Sequence, residues 1–153
     1  MKIVCDIDGV IANPCDLVRE HLLEDNKWNW EEYYKHTLEI PSIPSILGVI
    51  NALSENGNFI HFSTGRPEID RAPTEIWLRK YFSYSDGQSL LFMRPKGDTR
   101  PSIERKLEVC RDIKPDLVIE DEPGAVERLT SEGYIVLQVH GYRITEKDGI
   151  PNV

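Results

Sequence analysis

The sequence has few of the residues that staple small proteins together. Its three cysteines, Cys5, Cys15 and Cys110, are an odd number with no C-x-x-C pair. They offer neither a disulfide framework nor a thiolate metal site, and they suggest a reducing compartment. No apolar run approaches the ~20 residues that span a bilayer. An acid, Asp6, falls within the first six residues, unlike a secretory leader, and a cytoplasmic location is expected. No G-x-x-x-x-G-K-[ST] occurs, which excludes a P-loop kinase half from this chain. There is no repeat and no low-complexity segment. Positive charge is also scarce, with 18 bases against 26 acids and a net charge of −8. That balance argues against a protein that wraps long duplex DNA, whose binding rests on many Lys and Arg contacts to phosphate.

What is present is a soluble globular mixture, 40% hydrophobic and 29% charged over 153 residues. The length favours one domain, 1–153. Short apolar runs alternate with amphipathic stretches. The runs are Ile3–Cys5, Phe59–Phe62, Leu90–Met93, Leu117–Ile119 and Tyr134–Val139, rich in β-branched or aromatic residues and flanked by breakers. Between them, Pro44–Glu55, Ala72–Tyr84, Ser102–Ile113 and Ala125–Glu132 carry apolar residues at helical spacing. Strands alternating with helices predict an α/β, doubly wound, five-stranded parallel sheet covered on both faces, with right-handed crossovers. The first connection, Asn13 to Asn58, is too long for one helix. A small helical insertion is expected at about 13–42, with Asp16–Leu23 and Trp30–His36 as its helices. Its aromatic residues Trp28, Trp30, Tyr33 and Tyr34 either form the core of a small lid or stack a base.

In open α/β sheets ligands bind beyond the carboxyl ends of the strands. The residues that follow the runs are Asp6-Ile7-Asp8-Gly9-Val10 after the first, Ser63-Thr64-Gly65-Arg66 after the second, and Glu120-Asp121-Glu122 after the fourth. Topology therefore delivers three polar strand ends to one rim. Asp6 and Asp8, two apart, point to one side while Ile7 enters the core. With Asp121 or Glu120 added, several acids crowd together, and such acids resist ionising without a cation between them. Hard oxygen ligands without His or Cys favour Mg²⁺. Thr64-Gly65-Arg66 offers a hydroxyl, an approachable backbone and a guanidinium suited to phosphate. Lys106 can join them if its helix starts at the rim. From Ser89 to Lys106 there are five bases, Arg94, Lys96, Arg100, Arg105 and Lys106, and two acids. This is a local excess of positive charge in an acidic chain.

These motifs, in this order, resemble the haloacid dehalogenase superfamily of phosphohydrolases over nearly the whole chain. Asp6-Ile7-Asp8-Gly9-Val10 is similar to its first motif, Thr64 to its second, Lys106 to its third and Glu120-Asp121 to its fourth. The resemblance implies a strand order of 5-4-1-2-3. It implies Asp6 as the nucleophile that forms an aspartyl-phosphate, and Asp8 as general acid and then base. It also implies that Thr64 and Lys106 hold the phosphoryl oxygens. Mg²⁺ would be held by Asp6, the Asp8 carbonyl and Asp121, with Glu120 direct or one step removed. Within the superfamily, Ser63-Thr64-Gly65-Arg66, Arg94, Gly97-Asp98-Thr99-Arg100 and Lys106 resemble the 3′-phosphatase domains of phage polynucleotide kinase-phosphatases. That implies a role for Gly65, Arg66, Arg94 and Arg100 in binding a nucleotide phosphate. At two points the chain departs from that pattern: Pro101-Ser102 stand where an acid is expected, and Arg19 is displaced from an arginine position.

The expected function is Mg²⁺-dependent hydrolysis of a phosphomonoester, a 3′-phosphate on a nucleotide or nucleic-acid end. The alternative within the class is a phosphatase of free nucleotides or other small phosphomonoesters. Neither a membrane nor an extended duplex is an expected partner. A phospho-receiver domain uses similar groups but carries its phosphorylated Asp after the third strand, where this chain has Met93-Arg94. The intact acidic and basic set argues against a member that only binds.

Overall fold

The computed structural model describes residues 1–14, 34–82 and 89–140. Five strands form one sheet, β1 Lys2–Cys5, β2 Phe59–Pro67, β3 Leu91–Arg94, β4 Leu117–Glu120 and β5 Val136–Gln138. All pairings are parallel and the order is β3-β2-β1-β4-β5. This is the expected 5-4-1-2-3 order read from the other edge. Among the described residues four helices lie between the strands, α1 Pro44–Glu55, α2 Arg71–Tyr81, α3 Ser102–Ile113 and α4 Pro123–Ser131. Short 3₁₀ turns lie at Thr37–Glu39 and Glu68–Asp70.

The period of two in the strands divides the core between the faces. Ile3 and Cys5 of β1 pack with Ile60, Phe62, Leu47 and Ile50 of α1, and Trp77 and Leu78 of α2. Val4, one residue out of phase, packs on the other face with Val118, Leu107 and Cys110 of α3, and Leu129 of α4. Burial on both faces is why the runs read as continuous apolar segments rather than alternating ones. Among the described residues no helix is long and apolar enough to cross a membrane.

α1 and α3 span the expected residues. α2 ends at Tyr81, and positions 83 and 84 lie outside the described residues. α4 starts two residues earlier than expected because Pro123 occupies its first turn, where no amide is needed. Glu122 caps it, accepting from Gly124 N at 2.9 Å and Ala125 N at 2.5 Å. β5 is shorter than its apolar run. β2 is longer and reaches Pro67, which pairs with Arg94 after a register shift that begins beyond Ser63. Thr64-Gly65-Arg66 therefore lies on an irregular strand extension, where a bulge re-aims side chains, rather than in a turn after the strand.

Most of the expected insertion, including Asp16–Leu23 and Trp28, Trp30 and Tyr33, lies outside the described residues. Its two ends meet beside the rim. Asn13 N donates to Pro41 O at 2.7 Å, Ile43 N to Ile11 O at 2.8 Å, and Ala12 pairs with Ser42.

Candidate active site

The backbone after β1 turns tightly. The Ile7 carbonyl accepts from the amides of Ile11 and Ala12, both at 2.9 Å, and the Ile7 side chain is fully buried. Asp6 and Asp8 are thereby left on the rim, as the spacing predicts. Asp6 is 8% exposed. Its Oδ1 accepts from Ile7 N at 2.8 Å and its Oδ2 from Lys106 Nζ at 2.8 Å. Lys106 reaches it from α3, and the same ammonium donates to Glu120 Oε2 at 2.5 Å. Glu120 also accepts from the amides of Asp121 and Glu122, at 3.2 and 3.1 Å, which fixes the turn after β4.

Carboxylate oxygens of Asp6, Glu120 and Asp121 lie within 4.8 Å of one another. Burial alone would push the Lys106 ammonium down, but the charges of Asp6 and Glu120 reverse this and hold it above its usual range. One ammonium does not balance three carboxyls. Burial lifts the Asp6 carboxyl, Lys106 draws it back, and Glu120 and Asp121 raise it again, so the net direction is up. Asp121, lifted by burial and then by Glu120, is pushed up to about 7. A buried, all-oxygen set short of positive charge fits a hard divalent cation, with Asp6 and Asp121 as its holders and Glu120 committed to Lys106 and the turn.

A pH dependence follows. The Asp121 carboxyl titrates near 3.8 when unperturbed and near 7 in the fold. Between those values the folded state binds more protons, so stability falls as pH rises from about 4 to about 7 without metal. A divalent cation such as Mg²⁺ held by this carboxylate would have to displace that proton. Its stabilising shift in Tm is therefore expected to grow from about pH 5 to about pH 8, and thermal melts with and without Mg²⁺ measure this. A shift independent of pH would remove Asp121 from the metal-binding set.

Asp8 is held differently. Arg66 donates from Nε to Asp8 Oδ2 at 2.8 Å and from Nη2 to Oδ1 at 2.7 Å, a two-point fork. The guanidinium is wholly buried, its Nη1 is 3.4 Å from Thr74 Oγ1, and Trp77 of α2 lies beneath it at 5.9 Å from the ring centroid. Thr64 Oγ1 stands 3.5 Å from Asp8 Oδ2 and accepts from Arg66 N at 3.2 Å. Tyr34 packs against the same core, and burial followed by the Asp8 charge pushes its phenol upward.

Arg94 and Arg100 form a rim network. Arg94 donates to Gly65 O at 3.3 Å, Asp98 O at 3.2 Å and Arg100 O at 2.7 Å. Arg100 bonds both oxygens of Asp98 and both of Glu108. Its hydrogen bonds hold the Asp98 carboxyl well below the usual carboxylate range. Thus Asp6, Lys106, Glu120 and Asp121 form one group, and Asp8, Thr64 and Arg66 a second. Arg94 joins the neighbouring Gly65, while Arg100 is tied to the strand ends through Arg94. Sequence reasoning missed Thr74, Glu108 and the burial of Arg105. No local pattern marks them, because each is defined by what it meets across the fold.

Ser63 is a further surprise. It is 2% exposed, and its hydroxyl has no hydrogen-bond partner among the described residues. A buried unpaired hydroxyl costs ~1–3 kcal/mol. Ser63→Ala is therefore expected to raise unfolding stability by about 1 kcal/mol, read by urea denaturation; a loss of stability would show that the hydroxyl is paired.

No protein-family model matches the chain. The chain is 24% identical over 110 residues to "Putative nucleotidase OB0422" of Oceanobacillus iheyensis, covering 70% of this chain and 54% of that protein. It superposes on a chain of the Pnkp1/Rnl/Hen1 RNA repair complex with a TM-score of 0.67 at 22% identity, covering 90% of this chain and 42% of that one. It also superposes on CbbY from Rhodobacter sphaeroides, solved with phosphate, with a TM-score of 0.64 at 14% identity, covering 97% and 91%. The chain thus spans about half the length of the nucleotidase and less of the RNA repair chain. The fold is that of these solved structures, and its five-stranded parallel sheet has the expected strand order.

Proposed function

We propose that the protein is a Mg²⁺-dependent phosphomonoesterase that removes a 3′-phosphate from a nucleotide or nucleic-acid end through an aspartyl-phosphate on Asp6. The observation that carries this reading is the pairing of two differently held carboxyls at one rim. Asp6 is buried with Lys106 and two further acids. Asp8 is partly exposed and oriented by Arg66. The first suits a nucleophile and the second a proton carrier.

A carboxylate oxygen of Asp6 attacks phosphorus, and the bond to the 3′-oxygen breaks as Asp8 protonates that oxygen. Asp8 then accepts a proton from water, whose oxygen attacks phosphorus and releases phosphate and Asp6. Lys106 and Thr64 offer donors to the phosphoryl oxygens. Arg66 keeps Asp8 in line through its fork. Asp6, Asp121 and the Asp8 carbonyl would hold Mg²⁺, whose charge would let a dianionic phosphate approach carboxylates.

The nucleotidase relative and the RNA repair neighbour support a nucleotide or nucleic-acid substrate, as does the run of bases from Arg94 to Lys106. The nucleotidase also favours the second reading, a phosphatase of free nucleotides. A screen of 3′- and 5′-phosphorylated oligonucleotides and mononucleotides separates the two. Phosphate release is expected to require Mg²⁺ and to fall by at least ~10⁴-fold in Asp6→Asn, since a covalent step is lost. Robust turnover by Asp6→Asn, or a phosphoprotein that persists after acetyl phosphate treatment, would refute the hydrolytic mechanism.

A further inference from the structure

A proton carrier works only when its carboxyl is aimed at the leaving oxygen. The Asp8 side chain lies at the rim, 24% exposed, and the Arg66 fork aims it, with Nε 2.8 Å from Oδ2 and Nη2 2.7 Å from Oδ1. An arginine is itself a long, flexible chain. The fork is therefore only as fixed as the guanidinium that makes it.

α2 fixes that guanidinium. Thr74 and Trp77, three residues apart, share one face of the helix, and both are buried. Thr74 Oγ1 is 3.4 Å from Arg66 Nη1, and the Trp77 ring centroid is 5.9 Å from the guanidinium carbon, within cation–π range. Trp77 is held in turn from its far side, where its indole N–H donates to Ile40 O at 2.7 Å.

Ile40 opens the segment that also holds the Asp8 backbone. Asn13 N donates to Pro41 O at 2.7 Å and Ile43 N to Ile11 O at 2.8 Å. Within the turn, Gly9 N donates to Ala12 O at 2.9 Å. These contacts close a ring. It runs from the Asp8 turn to Ile40–Ile43, across the Trp77 indole, through Arg66 and back to the Asp8 carboxyl. One segment thus sets Asp8 twice, its backbone directly and its side chain through Trp77. Phe82, at the end of the same helix, instead packs edge-on against Phe62 at 5.2 Å.

We propose that Trp77 is a positioning residue for the general acid, holding Arg66 so that the Asp8 carboxyl meets the leaving oxygen. This rests on the phosphatase reading above and specifies how that site aims its proton. The consequence is selective. A nucleoside 3′-oxygen leaves slowly unless it is protonated, whereas p-nitrophenolate leaves as the anion. Loss of aim therefore slows the first far more than the second.

The test is single-turnover release of the leaving group, with enzyme in excess at saturating Mg²⁺, which isolates the step in which Asp8 gives its proton. The substrates are adenosine 3′-monophosphate and p-nitrophenyl phosphate. Trp77→Phe keeps a buried ring and deletes the N–H. It is expected to slow adenosine release about tenfold or more, since a displacement of ~1 Å costs up to ~10²-fold. It is expected to slow p-nitrophenol release about twofold or less. Phe82→Leu, which removes core volume at the end of α2, is expected to show no such selectivity. Equal slowing of both substrates by Trp77→Phe, unchanged adenosine release, or the same selectivity in Phe82→Leu overturns the proposal. A second measurement needs no turnover. Exchange of the Arg66 Nε–H with solvent, followed by NMR, is expected to quicken about tenfold or more in Trp77→Phe and to keep the wild-type rate in Phe82→Leu. Unchanged exchange in Trp77→Phe overturns the proposal whatever the kinetics. If the wild type turns over neither substrate, the phosphatase reading fails instead, and the exchange rates alone decide whether Trp77 holds the fork.

Discussion

Replacing Lys106 with methionine is expected to abolish turnover and to cost about 3–5 kcal/mol of stability, the usual price of leaving a buried charge unpaired. Methionine nearly preserves the length and apolar stem of lysine, so the packing of α3 on the sheet is retained and the charge is what changes. The buried Asp6 and Glu120 carboxylates, now joined through one ammonium at 2.8 and 2.5 Å, would face each other without it. In the wild type, the Lys106 pKa is raised above the ordinary 10.5. Its contribution is therefore complete at neutral pH and lost only as pH rises above about 10.5. In the variant the acids control the pH dependence. The Asp6 carboxyl, already raised by burial and now freed of the ammonium, rises further above its unfolded value, so stability falls as pH increases from about 4. Urea denaturation near pH 8 should show the full deficit, and near pH 5 a much smaller one. Loss of the cation proposed to hold the phosphoryl oxygens is expected to reduce kcat at saturating Mg²⁺ by about 10³-fold or more. Equal midpoints for variant and wild type at both pH values would mean that Lys106 is not the counter-charge of this cluster.

The same cluster shows what sequence reasoning can reach. The strand ends were legible because apolar runs stop abruptly at Asp6, Ser63 and Glu120, and a parallel sheet must bring those ends to one edge. Asp6 and Asp8 were legible as a pair because a period of two sends Ile7 inward. The partner assignments were not. Arg66 reads as a phosphate anchor, yet in the fold its fork grips Asp8. That outcome depends on the register shift between β2 and β3, which local composition does not encode. Arg100 likewise reads as a substrate contact, but Asp98 and Glu108 hold it through a loop and a helical turn. Arg105 reads as one base in a run of five, and its burial is set by how α3 docks on β2 forty-one residues away. Charge type and strand position are local facts, whereas which opposite charges meet is decided by packing across distant segments.

Gly9 gives the sharpest case of such a distant meeting, and Gly9→Ala is expected to damage the proposed metal site from a residue with no chemistry of its own. Gly9 has φ of +84°, where a side chain costs about 1–2 kcal/mol. A Cβ there would also lie 2.1 Å from Asp121 Oδ2, 2.5 Å from its Cγ and 2.9 Å from Oδ1. Those distances are far inside contact, so the carboxyl group must leave its place beside Asp6. Gly57 separates the two effects. Its φ is +80°, but nothing lies within 4 Å of a Cβ built there. Gly57→Ala should lose about 1 kcal/mol from the backbone alone and keep its Mg²⁺ response and turnover. Gly9→Ala should lose more stability than that. Its Mg²⁺-induced rise in Tm should shrink to a level set by at least about tenfold weaker binding, since one carboxylate holder is displaced. Turnover should recover only in part at high Mg²⁺, because added metal restores occupancy but not the position of Asp121. If both glycine variants keep the same Mg²⁺ response, the Asp121 carboxylate is not a metal holder, and the cation must be placed by Asp6 and the backbone instead.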